Sequence, residues 1–217
     1  MFRSVGFLCE RKSFQTMALK TFVKISNISN LSDARYCAGM MVDVLGFNID
    51  PTSDSQVSEE DFKEITEWVA GVKFAGEFHG ADLNQIKESV KKYPVDYVEI
   101  HSLDLVEQVH LLGKPIIFRL SIEDENELSK LKSNLSYLDE LVKMVVVQSS
   151  NSTLTDQIDS QIGYYNGNLK LLKGYGIAED KNMGNYPGLA LEATEEDRPG
   201  YKDYGQIMDV LELIEED

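Results

Sequence analysis

Cysteine is scarce in this 217-residue chain: Cys9 and Cys37 are the only two. Neither a disulfide framework nor a CxxC metal site can be built from them. Long apolar runs are missing too. No stretch approaches the ~20 residues of a membrane-spanning helix, and Val5 to Cys9 is shorter than the ~7–15-residue apolar core of a secretory signal. Basic residues are few, with 21 Lys and Arg against 37 Asp and Glu and a formal charge of −16. That balance leaves no electrostatic footprint for nucleic acid and a mean field that repels anions. These absences lead us to expect a cytoplasmic protein with no membrane and no nucleic-acid partner.

What is present is regular. Residues 1–20 carry scattered charges and no sustained period, which reads as a disordered extension or an upstream start codon, with Met17 just before the first strand signal. From Thr21 to the end, β-rich runs alternate with helical patterns. Strands are expected at Phe22–Ser26, Val44–Ile49, Val72–Phe78, Tyr97–His101, Pro115–Ser121, Lys143–Gln148, Leu169–Lys173 and Gly188–Leu191. Between them come helices at Leu31–Met41, Glu59–Val69, Asp82–Tyr93, Asp104–Leu112, Glu123–Leu138 and Thr153–Tyr165, and a last one follows at Tyr204–Glu216. Asn30 is placed to cap the first helix, and Ser58 and Ser121, each with an aspartate three residues on, approximate capping boxes. The last helix puts Ile207, Val210, Leu211 and Ile214 on one apolar face.

Strict βα alternation through eight strands predicts an α/β protein, a single-domain (β/α)8 TIM barrel over residues 21–217. An open doubly wound sheet is the alternative. Its nucleotide fingerprint is incomplete, because Gly174-Tyr175-Gly176 is followed by Glu179 where the third glycine of GxGxxG belongs.

Three stretches carry a family resemblance. Val23-Lys24-Ile25-Ser26-Asn27, then Asp33-Ala34, then Val44-Leu45-Gly46-Phe47 parallel a VKICG…DA…ALGF pattern. Tyr97 to His101 parallels (A/Y)VQLHG, and Gly188 to Asp203 parallels a GVDVSSGVESSPGVKD-like ending, keeping Gly188, Glu196, Pro199, Gly200, Lys202 and Asp203. From about Thr21 onward the chain resembles phosphoribosylanthranilate isomerases. The resemblance implies the same barrel and an aminoaldose-to-aminoketose isomerisation in tryptophan biosynthesis that needs no cofactor.

The departures fall on the residues that the resemblance implicates in chemistry. Ser26 stands where the family has its cysteine base and Gln148 where it has its aspartate acid; an unactivated serine is a poor proton acceptor, and an amide is no general acid. Ser55 stands where the family has an arginine, beside Asp54. The family's two phosphate-binding turns become Lys173-Gly174-Tyr175-Gly176 and Glu192-Ala193-Thr194. A carboxylate at Glu192 would oppose a phosphate by ~4 kcal/mol per unit-charge pair at 4 Å and an effective dielectric of 20. Lys173 is the neighbouring candidate to offset it.

Period-two alternation gives Lys24 and Ser26, Glu77 and His79, Glu99 and His101, and Arg119 and Ser121 common strand faces. If these point inward, the barrel holds two cations and two carboxylates, read either as a neutralised buried network or as a catalytic constellation. His79 and His101 fall at strand ends where barrel active sites form. His101 matches the family's own histidine, and no HxH or HExxH spacing marks a metal site, so none is expected. The expected ligand-binding set is Lys24, Ser55, His79, His101, Arg119, Gly174, Gly176 and Glu192, with Ser26 and Gln148 at the substituted catalytic positions. The reading that follows is a divergent member that has lost the isomerase reaction and binds a small-molecule ligand or a partner. The alternatives are a working isomerase with displaced catalytic groups, or a barrel enzyme using His79, His101 and Glu99 on another substrate. Oligomeric state is not legible.

Overall fold

The computed structural model describes residues 19–177, 186–193 and 205–214. Residues 1–18, most of the link between the last two strands, and the family-like ending beyond Ala193 lie outside the described residues. Eight parallel strands close in chain order. They are β1 Phe22–Ser26, β2 Val44–Asn48, β3 Lys73–Glu77, β4 Tyr97–Ile100, β5 Ile116–Ser121, β6 Met144–Gln148, β7 Lys170–Lys173 and β8 Gly188–Glu192. The closing ladder runs from Phe22 against Gly188 to Ser26 against Glu192, and it excludes the open sheet.

Helices cover the outside: α1 Leu31–Gly39, α2 Glu59–Glu67, α3 Leu83–Lys92, α4 Val106–His110, α5 Glu125–Leu138, α6 Thr155–Gly163 and α7 Gly205–Leu213. The starts of α1, α2, α3 and α5 are set by side-chain oxygens that satisfy first-turn N–H groups. Asn30 Oδ1 accepts from Asp33 N at 2.9 Å, and Ser58 Oγ from Asp61 N at 3.1 Å. One expected cap is corrected: Ser121 ends β5, and Asp124 itself caps α5 by accepting from Glu127 N at 2.8 Å. The single helix expected over 104–112 is split into a 3-10 turn, Leu103–Leu105, and the short α4. Neither piece has a side-chain cap at its start.

Alternation along each strand builds two cores. Outward residues such as Ile25, Phe47 and Val145 join the helices in the main core. There Phe62 meets Phe47 and Tyr93 edge to face, at centroid distances of 4.9 and 5.3 Å, tying β2, α2 and the end of α3 together. The apolar face expected of α7 is buried at Ile207, Val210, Leu211 and Ile214. Inward residues Val44, Ala75, Ile117, Met144, Val146, Leu172 and Ala190 fill the lower barrel as a separate apolar cluster. Above them the interior becomes ionic, with Lys24, Glu77, Glu99 and Arg119 all buried. Gly46 makes that layer possible, since a methyl group on it would overlap Glu77 Oε1 and come within 3.0 Å of Lys24 Nζ.

Candidate functional site

Arg119, on β5, organises the C-terminal mouth of the barrel. Its Nε donates to Glu99 Oε1 on β4 at 2.7 Å, its Nη2 to Ser26 Oγ on β1 at 2.7 Å, and its Nη1 to Gln148 Oε1 on β6 at 2.8 Å and Glu192 Oε1 on β8 at 2.7 Å. One planar fork thus joins four strands, a task that suits guanidinium geometry better than an ammonium. Lys24 serves the other side. Its Nζ donates to Ser26 Oγ and Glu77 Oε1, each at 2.5 Å, and stands 2.8 Å from Glu99 Oε2. Burial alone would raise the Glu99 carboxyl, but Lys24 and Arg119 outweigh it and hold that group well below the usual carboxylate range. Burial likewise opposes the Arg119 charge, and Glu99, Glu77 and Glu192 push its guanidinium further up. Lys24, Glu77, Glu99 and Arg119, whose strand faces alternation left open as inward or outward, therefore form one buried paired network, consistent with buried charges persisting only with partners.

Ser26 and Gln148, the two positions at which the resemblance places the catalytic pair, sit inside this network. Ser26, 1% exposed, accepts from both cations, so its oxygen lone pairs are already directed at Lys24 and Arg119. Lys24, as an ammonium that donates to Ser26 and Glu77 and pairs with Glu99, is a donor to that oxygen and no base for its proton. Gln148 accepts from Arg119 and donates through Nε2 to Glu192 Oε1 at 3.0 Å. Glu192 is offset by Arg119 from β5. Lys173, the candidate offered by sequence, turns outward to α6 and pairs with Asp159 Oδ2 at 3.0 Å. Tyr175 donates to Asp159 Oδ1 at 2.5 Å and shares a 2.8 Å bond with Tyr186, completing a cluster behind β7.

Around the mouth, Asn27 takes φ 60° where the family pattern has glycine, a conformation asparagine tolerates better than most residues, and its N–H reaches Glu77 Oε2 at 3.2 Å. Ser55 Oγ accepts from Asn48 Nδ2 at 2.9 Å. Ser55, Asn48 and Asn27 border a cavity of ≈ 230 Å³. Gly174, Gly176 at φ 60°, Gln148 and Glu192 border a second of ≈ 390 Å³. His79 and His101 meet edge to face at 4.6 Å. Burial, helped by Arg119 and Lys24 and opposed by Glu99, pushes the His101 imidazole down to about 4, and its Nε2 is buried without a hydrogen bond among the described residues.

Sequence reasoning missed Asp50. Its buried Oδ2 accepts from the N–H groups of His79, Gly80 and Ala81 at 2.7, 2.6 and 3.0 Å, and Oδ1 from Thr52 N and Oγ1. Burial opposes the charge, yet these bonds bring the carboxyl down to about 2. Asp50 follows β2 by two residues and looks like any loop aspartate until the β3 loop is folded onto it. Among the described residues, no group of three or more His, Cys, Asp and Glu side chains is placed to hold a metal ion, and no helix is long and apolar enough to cross a membrane.

The comparisons agree with this architecture. A solved phosphoribosyl anthranilate isomerase in complex with reduced 1-(o-carboxyphenylamino)-1-deoxyribulose 5-phosphate superposes with a TM-score of 0.68 at 19% identity, covering 89% of this chain and 98% of that one. The Thermotoga maritima enzyme gives 0.68 at 20% identity over 89% and 96%, and the Thermus thermophilus enzyme 0.67 at 17% over 88% and 97%. At those identities the superpositions speak for the fold alone. No curated protein matches the chain significantly in sequence. The family model for N-(5'phosphoribosyl)anthranilate isomerase, however, matches residues 23–155, spanning β1 to the start of α6 and therefore Lys24, Ser26, Glu77, Glu99, Arg119 and Gln148, and on that match the chain belongs to the N-(5'phosphoribosyl)anthranilate isomerase family.

Proposed function

We propose that this barrel binds a small molecule without carrying out the isomerisation that gives its family its name. The observation that carries this reading is the state of Ser26. An isomerase of this kind needs a base to remove a proton and an acid to return it. Ser26 stands at the base position with its oxygen held between two cations, and Gln148 at the acid position is an amide spent on bridging Arg119 and Glu192. The Glu192 carboxylate further opposes a phosphate group at the β8 end.

Turnover of phosphoribosylanthranilate by purified protein tests the proposal, with a Ser26→Cys plus Gln148→Asp variant alongside. We expect no turnover by the natural chain. Turnover by it would overturn the reading and make this a working isomerase of tryptophan biosynthesis with displaced catalytic groups. Activity in the double variant alone would mean that the substrate pocket is intact and only the proton carriers are lost, whereas inactivity of both would mean that the pocket itself has changed.

A further inference from the structure

Of all the asparagines in the chain, only Asn166 is followed by glycine. Asn166 and Gly167 are both exposed, in the loop between α6 and β7. The main chain is held on either side of them. Tyr165 N donates to Ile162 O at 2.9 Å, and the N–H groups of Asn168 and Leu169 donate to Asp139 Oδ1 at 2.8 and 3.1 Å. Between these anchors, neither the Asn166 side chain nor the Gly167 N–H makes a hydrogen bond among the described residues. Asn151, which precedes the small residue Ser152, is the contrasting case. Its Nδ2 donates to Glu123 O at 3.1 Å, and its Oδ1 accepts from Thr153 N and Oγ1 at 3.1 and 2.7 Å.

Gly167 is required by packing. A methyl group on it would fall 2.2 Å from Tyr165 Oη and 2.7 Å from Asp139 Oδ1, two atoms that are hydrogen-bonded to each other. Without a side chain the residue leaves its nitrogen unshielded and its backbone free to turn toward the preceding side chain. The contact that demands glycine therefore also leaves the Asn166 amide carbon open to attack by the next residue.

We propose that Asn166-Gly167 is a modification site, at which the chain spontaneously converts its asparagine to isoaspartate and aspartate and so loosens the hold of Asp139 on β7. The Gly167 nitrogen gives up its proton to solvent base and bonds to Asn166 Cγ. The Cγ–Nδ2 bond breaks, and Nδ2 leaves as ammonia. Water then opens the five-membered imide. Cleavage at Cγ gives aspartate, whereas cleavage at the main-chain carbonyl gives isoaspartate, whose backbone runs through Cβ and is one methylene longer. Both products add a carboxylate to a chain whose formal charge is already −16. The extra methylene enters just ahead of Asn168 and Leu169, the two residues whose N–H groups fix the approach to β7 on Asp139. Because Gly167 already lies against the Tyr165–Asp139 pair, the added length displaces those donors.

The purified full chain, incubated in mildly alkaline buffer and digested with trypsin, tests the site, because cleavage after Lys143 and Lys170 leaves Asn151, Asn166 and Asn168 on one peptide. Fragmentation should place the change from amide to acid at Asn166, with isoaspartate exceeding aspartate, while Asn151 stays an amide until the chain is unfolded in guanidinium chloride. The rate at Asn166 should be of the same order in folded and unfolded chains. A folded chain in which Asn166 lasts as long as Asn151, or in which folding slows the change at Asn166 by more than an order of magnitude, would overturn the site. Chain carrying isoaspartate should unfold at a lower urea concentration than fresh chain. Asn166→Gln, which would need a six-membered ring, should keep its midpoint through the same incubation, and freshly prepared Asn166→Asp, which adds the charge without the methylene, should stay near that of fresh chain. An unchanged midpoint for the isoaspartate form, or an equal loss in Asn166→Asp, would overturn the loosening of β7.

Discussion

The Nζ of Lys24 lies 2.5 Å from the Oγ of Ser26, two residues further along the same strand, and Arg119 Nη2 closes on the same oxygen at 2.7 Å. A thiol at position 26 would meet both cations, which favour its ionised form. Burial among Glu77 and Glu99 opposes this, but both carboxylates are already paired. Ser26→Cys should therefore carry a thiolate with a pKa below the ~8.5 of free cysteine. Ultraviolet thiolate absorbance against pH, with the natural chain subtracted to remove Cys9 and Cys37, measures it. A value above ~8.5 would mean that desolvation outweighs the two cations.

Gly46 is the second sensitive position, because its lack of a side chain leaves room for Glu77. Gly46→Ala forces Glu77 away from Lys24 in a layer with no spare volume. The combined overpacking and loss of ion pairing should cost about 2–4 kcal/mol in urea unfolding. A change under about 0.5 kcal/mol would show that the carboxylate relocates without losing its partner.

The same layer shows how far the sequence could be read. Each strand end falls within one residue of its expected position, because short β-rich runs set off by helical patterns are a local signal, whereas alternation gave Lys24, Glu77, Glu99 and Arg119 a strand face each without saying whether it points inward. Lys173 shows the limit. Adjacent Leu171 and Leu172 are both buried, so β7 has no apolar/polar alternation to reveal which face carries the lysine, and only the folded barrel turns it toward Asp159. Asp50 is another such case, since the three donors to its Oδ2 lie about thirty residues downstream in the loop after β3. Pairings such as Arg119 with Glu192 depend on barrel closure, which no local pattern encodes.

Asp50 makes the acid limb of stability testable. Its folded carboxyl sits at about 2 against an ordinary 3.8, so on acidification the unfolded chain takes up the proton first. The contribution is fully present above pH 3.8 and is lost as pH falls through about 2. Asp50→Asn should cost about 2 kcal/mol near neutral pH, and the gap between the two proteins should narrow across that window in pH-dependent urea unfolding. A gap independent of pH would assign the loss to packing instead of charge.

His101 behaves in the opposite sense from a histidine stabilised as a cation. With the folded imidazole pushed down to about 4 from 6.5, the unfolded chain binds the proton first, and stability falls as pH drops from about 6.5 towards 4. The ring C–H resonance of His101 should show no inflection between about pH 5 and 8. An inflection near 6.5 would place the ring in solvent and restore it as a proton shuttle at neutral pH.

Arg119 and Glu192 form one bond of 2.7 Å, yet the two ends should differ sharply in cost. Removing the guanidinium leaves Glu99 with Lys24 as its one remaining cation in a site closed to water, and also takes a donor from Ser26, Gln148 and Glu192. Arg119→Met should destabilise the barrel by about 3–5 kcal/mol, the range for breaking a buried pair from one side. Glu192→Gln removes a half-exposed charge whose partner keeps Glu99, so its cost should stay within about 1 kcal/mol. Urea unfolding of both variants at neutral pH checks the asymmetry. If the two losses came out equal, Arg119 would owe its place mainly to Glu192 at the rim. A large loss for Arg119→Met alone would identify Glu99, deep in the barrel, as the partner that the arginine is folded to serve.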